Sequence, residues 1–365
     1  TNENPMRRTP LGSLPGQLLF TALLLLPLGS VARPADKAAT TPQSDVRPTR
    51  EDPYRKTGFS FTPIPALSYS SDLGFQLGAI LDCYWFGDGS TYPKYMHKLT
   101  AEACYFTKGS GIYHLFYDSD YLLRNLRVTA SASYLPNTMM AFYGFNGYGA
   151  PYLRDHNAGF YAVDRNLLRI MGDLQGRIAG NLGWAAGAAF FHYRTGRIRV
   201  DKYAGQTTLY DLYRRYGVIR DDESRGGSHI ELRTGLVYDT RDNEPDPSRG
   251  LYADLLLYGS PDLIDRRGYD YLKAAVSFRH YVSLIRNRMV FAYRLCWQGT
   301  VAGRAPFYVQ QNYATLFLKQ INSDILGGAI SLRGILYNRV VGDGMAWANA
   351  EVRLRLFDFR LFGQE

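Results

Sequence analysis

Apolar and polar positions alternate along much of the chain. Over 75–85, Phe75, Leu77, Ala79, Leu81, Cys83 and Trp85 occupy one phase and Gln76, Gly78 and Asp82 the other. Over 125–134, Leu126, Val128, Ala130, Ala132 and Tyr134 oppose Asn125, Arg127, Thr129, Ser131 and Ser133. The same holds at 165–178, where Leu168, Ile170, Leu174 and Ile178 oppose Arg165, Arg169, Asp173, Gln175 and Arg177. Leu232 and Leu236 oppose Glu231 and Arg233, and Ala350, Val352 and Leu354 oppose Glu351 and Arg353. Period two means β-strands with one apolar and one polar face. Strands are predicted near 61–70, 73–86, 97–107, 111–121, 124–135, 160–179, 183–194, 229–239, 250–259, 269–283, 288–298 and 346–357.

A soluble sandwich also alternates. Here, however, many strands reach the ~9–11 residues that a tilted membrane-spanning strand requires. Aromatic residues also crowd the strand ends, at Tyr84-Trp85-Phe86, Tyr92, Tyr95, Phe142-Tyr143 and Tyr281, as an interfacial girdle would. With the first strand running outward, the longest connections, 136–159, 195–228 and 299–345, fall on one side. That is the outer side of an outer-membrane barrel. The 87–96 connection, longer than its outer neighbour at 108–111, departs from this rule.

Composition agrees. The 365 residues are 46% hydrophobic, with 29 Tyr and 36 Gly, too apolar for a disordered chain. Mean hydropathy is only −0.25, because alternation hides a barrel's apolar face in the average. Beyond the N-terminus no apolar run approaches the ~20 residues of a membrane helix. At the front, Arg7 and Arg8 precede the run Leu18–Leu28, and Ser30-Val31-Ala32 offers small residues at a cleavage site. Residues 1–32 therefore read as a secretory signal peptide starting at Met6. Residues 33–56, rich in Pro, Thr, Asp and Arg, read as a flexible periplasmic tail, and 57–365 as the barrel domain.

Little else in the sequence points to chemistry. The six histidines are scattered without metal-ligand spacing, and neither a nucleophile elbow nor a phosphate-binding loop occurs. No cofactor or metal is expected, and no enzyme activity. Cys83 and Cys104 lie on consecutive strands but in opposite phases, which forbids a disulfide. A net charge of +9 raises nucleic acid as a partner. The arginines, however, fall in the polar phases beside Asp and Glu, so the charge belongs to a solvated lumen and no nucleic acid is expected.

Two stretches carry a resemblance. Residues 237–252 read VYDTRDNEPDPSRGLY and 331–355 read SLRGILYNRVVGDGMAWANAEVRLR. The first resembles the Tyr-Asp-Thr-Arg-Asp-Asn…Arg-Gly signature of the BamA/TamA outer-membrane superfamily, also called the bacterial surface antigen family. The second resembles that family's Arg-Gly-Phe loop and the strand after it. PIPALSYSSDLGFQLGA (63–79) and TTLYDLYRRYGVIRDDESRGG (207–227) resemble the branch without POTRA domains. Together they span residues 60–360.

The resemblance implies that Arg333 and Gly334 form a latch. Their loop would fold into the lumen, with Arg333 on a carboxylate of a late strand and Gly334 allowing close backbone passage. Ile335 stands where the family has an aromatic. Asp239, Arg241, Asp242 and Gly250 read as a charged periplasmic turn, and Glu231, Arg233, Glu351 and Arg353 as lumen-facing charges.

The resemblance also implies a barrel of sixteen strands. Twelve are counted, and the chain ends Phe362-Gly363-Gln364-Glu365 without a terminal aromatic. A C-terminally incomplete barrel lacking the acidic partner of Arg333 is therefore expected; the alternative is a barrel of twelve. The function expected is outer-membrane biogenesis in a Gram-negative bacterium, by insertion or translocation of proteins. Its partners would be outer-membrane lipid, and unfolded barrel clients or accessory assembly proteins. A passive pore or surface-antigen barrel and a lipid hydrolase with a lumenal Ser/His pair remain the alternatives.

Overall fold

A computed structural model describes residues 55–70, 73–92, 94–145, 150–244, 246–286, 288–312, 326–328 and 331–356. The expected signal peptide, nearly all of the expected tail and the ending at 357–365 lie outside them. The unit beginning at Tyr54 is all-β. Its strands are β1 (Phe59–Ser70), β2 (Gly74–Trp85), β3 (His97–Phe106), β4 (Gly111–Leu123), β5 (Leu126–Ala141), β6 (Ala162–Ala179), β7 (Leu182–Gly196), β8 (Gly226–Asp239), β9 (Gly250–Ser260), β10 (Tyr271–Ile285), β11 (Met289–Gly303) and β12 (Met345–Leu354). All twelve form a single antiparallel sheet in which each strand pairs with its sequence neighbours. Among the described residues no ladder joins β12 to β1.

The alternation sets the two faces. On the outward phase Ile170, Leu232, Leu236, Val352 and Leu354 are exposed, whereas Arg169, Asp173, Glu231 and Arg233 on the other phase are buried. The sheet curves around that polar face. Arg353 of β12 comes within 3.5 Å of Asp246 in the β8–β9 turn, and Arg127 of β5 within 3.2 Å of Glu244 there. Cys83 pairs with Leu99 while Cys104 pairs with Gly78, so the two thiols stay on opposite faces.

Exposed aromatics mark the two rims of the outer face. Phe59, Phe61, Trp85, Tyr121 and Tyr238 sit toward the short turns, and Tyr69, Phe75, Tyr105, Tyr113 and Tyr134 toward the long connections. Between them the outward residues are aliphatic, including Leu77, Leu81, Leu99, Leu115 and Leu255. On β2, Phe75 and Trp85 are separated by ten residues, ~33 Å along a strand and ~25 Å in height at a tilt of about 40°. The girdle expected from sequence is corrected in part. Phe86, Phe142 and Tyr281 are buried, because each falls on the inner phase or inside a loop.

β5 continues past its expected end, through Pro136 to Ala141. A proline usually ends pairing, but a register shift follows between Asn137 and Met140. There Thr138 N donates to Ser110 Oγ (3.0 Å) and Met139 N to Asn137 Oδ1 (3.0 Å). Side chains thus take over where the ladder lapses. Together β5 and β6 form a wall taller than the apolar band. The 197–225 connection contains a helix, α1 (Leu209–Arg215), closed by a capping box between Thr208 and Asp211.

The long connections pack into the mouth above this wall. Leu135, Met140, Val163, Leu167 and Tyr193 of the strands meet Phe142, Tyr210, Ile219, Phe307, Tyr308 and Val309 of the loops in one apolar cluster. Phe142 packs edge-on against Tyr210, Tyr213 and Phe307.

Candidate functional site

The inner face brings the expected charges into three groups. Midway, Arg233 of β8 reaches across to Asp173 of β6 at 2.9 Å, both side chains nearly inaccessible. Glu231, also buried, accepts from Tyr271 Oη at 3.2 Å. Lys273, 1% exposed, lies 3.8 Å from Asp343 on the last long connection. Charges this deep persist only when paired, and partners come from non-adjacent strands as well as from the returning loop.

The second group surrounds Arg333. Its guanidinium stands 3.6 Å from Glu351 of β12, and Glu351 also accepts from Arg353 Nε at 2.7 Å. One carboxylate thus serves two arginines. The expectation that Arg333 lacks an acidic partner is corrected: the partner lies on β12 itself. Arg333 remains largely exposed in a cavity of about 600 Å3 against β10–β12. Beside it, Arg294 stacks on Trp347, 4.0 Å from the ring centroid, and donates to Asn349 Oδ1 (2.9 Å) and Ser331 O (3.3 Å). Leu326 and Leu332 of the loop pack on Cys296, Met345 and Trp347.

The role expected for Gly334 is also corrected. Its φ is +82°, but no described atom lies within 4 Å of where a Cβ would stand. The glycine therefore serves the left-handed backbone rather than a close approach. Ile335, which stands where the resembled family has an aromatic, closes the turn by accepting at its carbonyl from Gly328 N at 2.8 Å.

The third group is the β8–β9 turn. Arg241 forks onto Asp239 through Nε (2.9 Å) and Nη2 (2.7 Å), and its guanidinium lies 4.8 Å from the Tyr252 ring centroid. Asp242 accepts from the backbone N–H groups of Ser248 (3.0 Å) and Arg249 (3.3 Å). Partial burial works to raise the Asp242 carboxyl, but the hydrogen bonds from Ser248 and Arg249 outweigh it and hold the group below the usual carboxylate range. Gly250 has φ +97°, and a Cβ there would come 2.3 Å from Thr240 O, so only glycine fits. Asp239, Arg241 and Glu244 border a cavity of about 710 Å3 at this end, with Arg127, Arg177 and Trp184.

Both kinds of Ser/His neighbour occur, and neither has the arrangement of a hydrolase. Inside, His114 faces Ser133 across β4 and β5, but among the described residues His114 Nε2 and Ser133 Oγ have no hydrogen-bond partner. Outside, His192 Nδ1 lies 2.8 Å from Ser228 Oγ. Among the described residues no carboxylate holds the other ring nitrogen, which a triad needs. No group of three or more His, Cys, Asp or Glu able to hold a metal occurs among them either.

The sequence did not reveal the plug, whose members are ordinary loop aromatics brought together only by tertiary folding. The helix α1 did carry a signal, in the Thr208-x-x-Asp211 cap and the pattern LYDLYRRY.

Fold and interior define a class: a β-barrel-type antiparallel sheet, twelve-stranded among the described residues, with an apolar outside, a charged inside and a plugged mouth. No family model matches the sequence, and no curated protein matches it. Among solved structures the chain is similar to BamA from Haemophilus ducreyi lacking POTRA domains 1–3. The TM-score is 0.48 and the identity 17%, over 84% of this chain and 55% of that one. This chain thus spans about half the length of that structure.

Proposed function

We propose that the chain is an outer-membrane β-barrel of the BamA/TamA type, acting in the insertion or translocation of proteins at that membrane. The observation that carries the membrane assignment is the outer face. Its aliphatic band, framed by aromatic rims ~25 Å apart, matches the hydrocarbon layer of an outer-membrane barrel. A water-facing sheet would not expose Leu67, Leu77, Leu232 and Leu354 in one continuous belt.

Two features support the finer reading. The last long loop turns inward and sets Arg333 on Glu351 of β12, as the resemblance to the family's Arg-Gly loop implies. The aromatic plug also fills the mouth, which speaks against a freely open pore. In this role a client strand would add to a strand edge, the first and last strands being the place. The test is direct. Liposomes carrying the folded chain should speed the insertion of an unfolded outer-membrane protein over empty liposomes, and Arg333→Ala should slow it. Equal rates with and without the chain would refute the insertion role.

A further inference from the structure

Above the apolar band, the outward phase of β6 and β7 changes chemistry within two rows. Ile170 pairs with Phe190, the next outward pair is Leu168 with His192, then Asn166 with Arg194, then Asp164 with Gly196. At this height Arg194, Arg197 and Arg199 line a notch of about 220 Å3 together with Asp164 and Asn166. The notch lies on the long-connection side, where the barrel wall leaves the aliphatic zone.

The arginines are held in a particular way. Asp164, its side chain 6% exposed, accepts from Arg199 Nε at 2.7 Å and lies 2.6 Å from Nη2. Arg197 Nε stands 3.1 Å from Asp211 of α1. Arg194 is exposed and has no partner among the described residues. Arg214 and Arg215 border the adjoining hollow with Asp221. Five arginines against three aspartates leave a net charge of +2 across the two hollows. Asp164 and Asp211 each hold one guanidinium and fix its direction, and the remaining N–H groups are left to face outward. A cluster held ready by carboxylates suits an anion with several oxygens, such as a phosphate.

We propose that this notch binds the phosphate of a phosphorylated glycolipid head group in the outer leaflet, an inference that rests on the membrane reading above. Height and charge select the ligand together. A group anchored by acyl chains along Ile170 and Phe190 would carry its phosphate to the level of Arg194. The site would tie the wall beneath the 197–225 connection to the surrounding lipid.

The test uses the full chain folded in detergent micelles, with diphosphorylated lipid A and its dephosphorylated counterpart as probes. Unaltered protein should prefer the phosphorylated lipid by at least tenfold. Arg194→Gln, which removes no internal contact, should weaken that binding by about tenfold, the scale of one charge-assisted hydrogen bond. Arg194→Gln with Arg197→Gln should abolish the preference, while Arg124→Gln at the opposite rim should leave it intact. Equal affinity for the two lipids, or no effect of Arg194→Gln, overturns the proposal. Complete displacement by millimolar inorganic phosphate would assign the notch to free phosphate and also overturn it. Insertion of each variant into phospholipid vesicles is scored in parallel. Failure of the unaltered chain to insert refutes the membrane reading, whereas normal insertion without lipid preference refutes the notch alone.

Discussion

At the scale of single residues, the interior depends on paired charge. Arg233 and Asp173 are both buried and 2.9 Å apart, so removing one leaves the other charged and unsolvated. Arg233→Ala should lower stability by about 3–5 kcal/mol, and Arg233→Met with Asp173→Leu should recover most of the loss. Urea unfolding in lipid vesicles measures both, and an unchanged midpoint for Arg233→Ala would show that the pair contributes nothing. Asp242 gives a pH dependence whose sign is fixed. Its folded carboxyl titrates below the unfolded value of about 3.9. Its contribution is therefore present in full above that value and is lost as pH falls through the lower, folded one. Hydrogen exchange at the Ser248 and Arg249 amides should stay protected at pH 5 and lose protection only after the pH has fallen below about 3.9; opening already above that value would contradict this. Which face each of these residues occupies was legible in the alternation. Which partner each would find was not: Glu351 stands eighteen positions beyond Arg333, and no spacing rule links a loop arginine to the strand it folds against.

At the scale of elements, all twelve strands could be placed from period two, because each buries one face and exposes the other. The errors fall where another force took over. β5 runs on past Pro136 because Ser110 and Asn137 side chains replace ladder bonds. Phe86, Phe142 and Tyr281 turn inward because the plug and inner wall supply more contact than the rim. Among the polar fastenings of the plug, one joins two of the long connections. Glu223, its side chain 2% exposed, accepts from Phe307 N at 2.8 Å and from Arg220 N at 3.2 Å, and lies 3.5 Å from Arg304. It joins the connection bearing α1 to the connection after β11. Glu223→Ala leaves the Phe307 and Arg220 N–H groups unsatisfied and should loosen the mouth without altering the strands. In planar bilayers the unaltered chain is expected to be nearly silent and the variant to show frequent openings. Steady conductance by the unaltered chain would show that the aromatic cluster does not seal it.

At the scale of the whole molecule, the balance between the two faces decides what solvent the sheet has evolved to meet. A sheet with arginines and carboxylates inside and aliphatic residues outside inverts the arrangement of a soluble sandwich, and on the membrane reading proposed above a hydrocarbon surrounding is what makes that inversion stable. Leu232 tests this directly. It projects outward at 54% exposure near the middle of β8, opposite Ala188 and Gly259. Within a bilayer Leu232→Arg carries a charge toward the midplane and should cost about 2–4 kcal/mol, while Tyr238→Arg at the rim should cost about 0–1 kcal/mol. If the face met water, Leu232→Arg would change stability by no more than ~0.5 kcal/mol, as exposed substitutions usually do. Folding into vesicles, followed by urea titration of both variants, separates the cases. A depth-dependent penalty is the expected result, and equal, negligible effects at both positions would remove the membrane from the account of this fold.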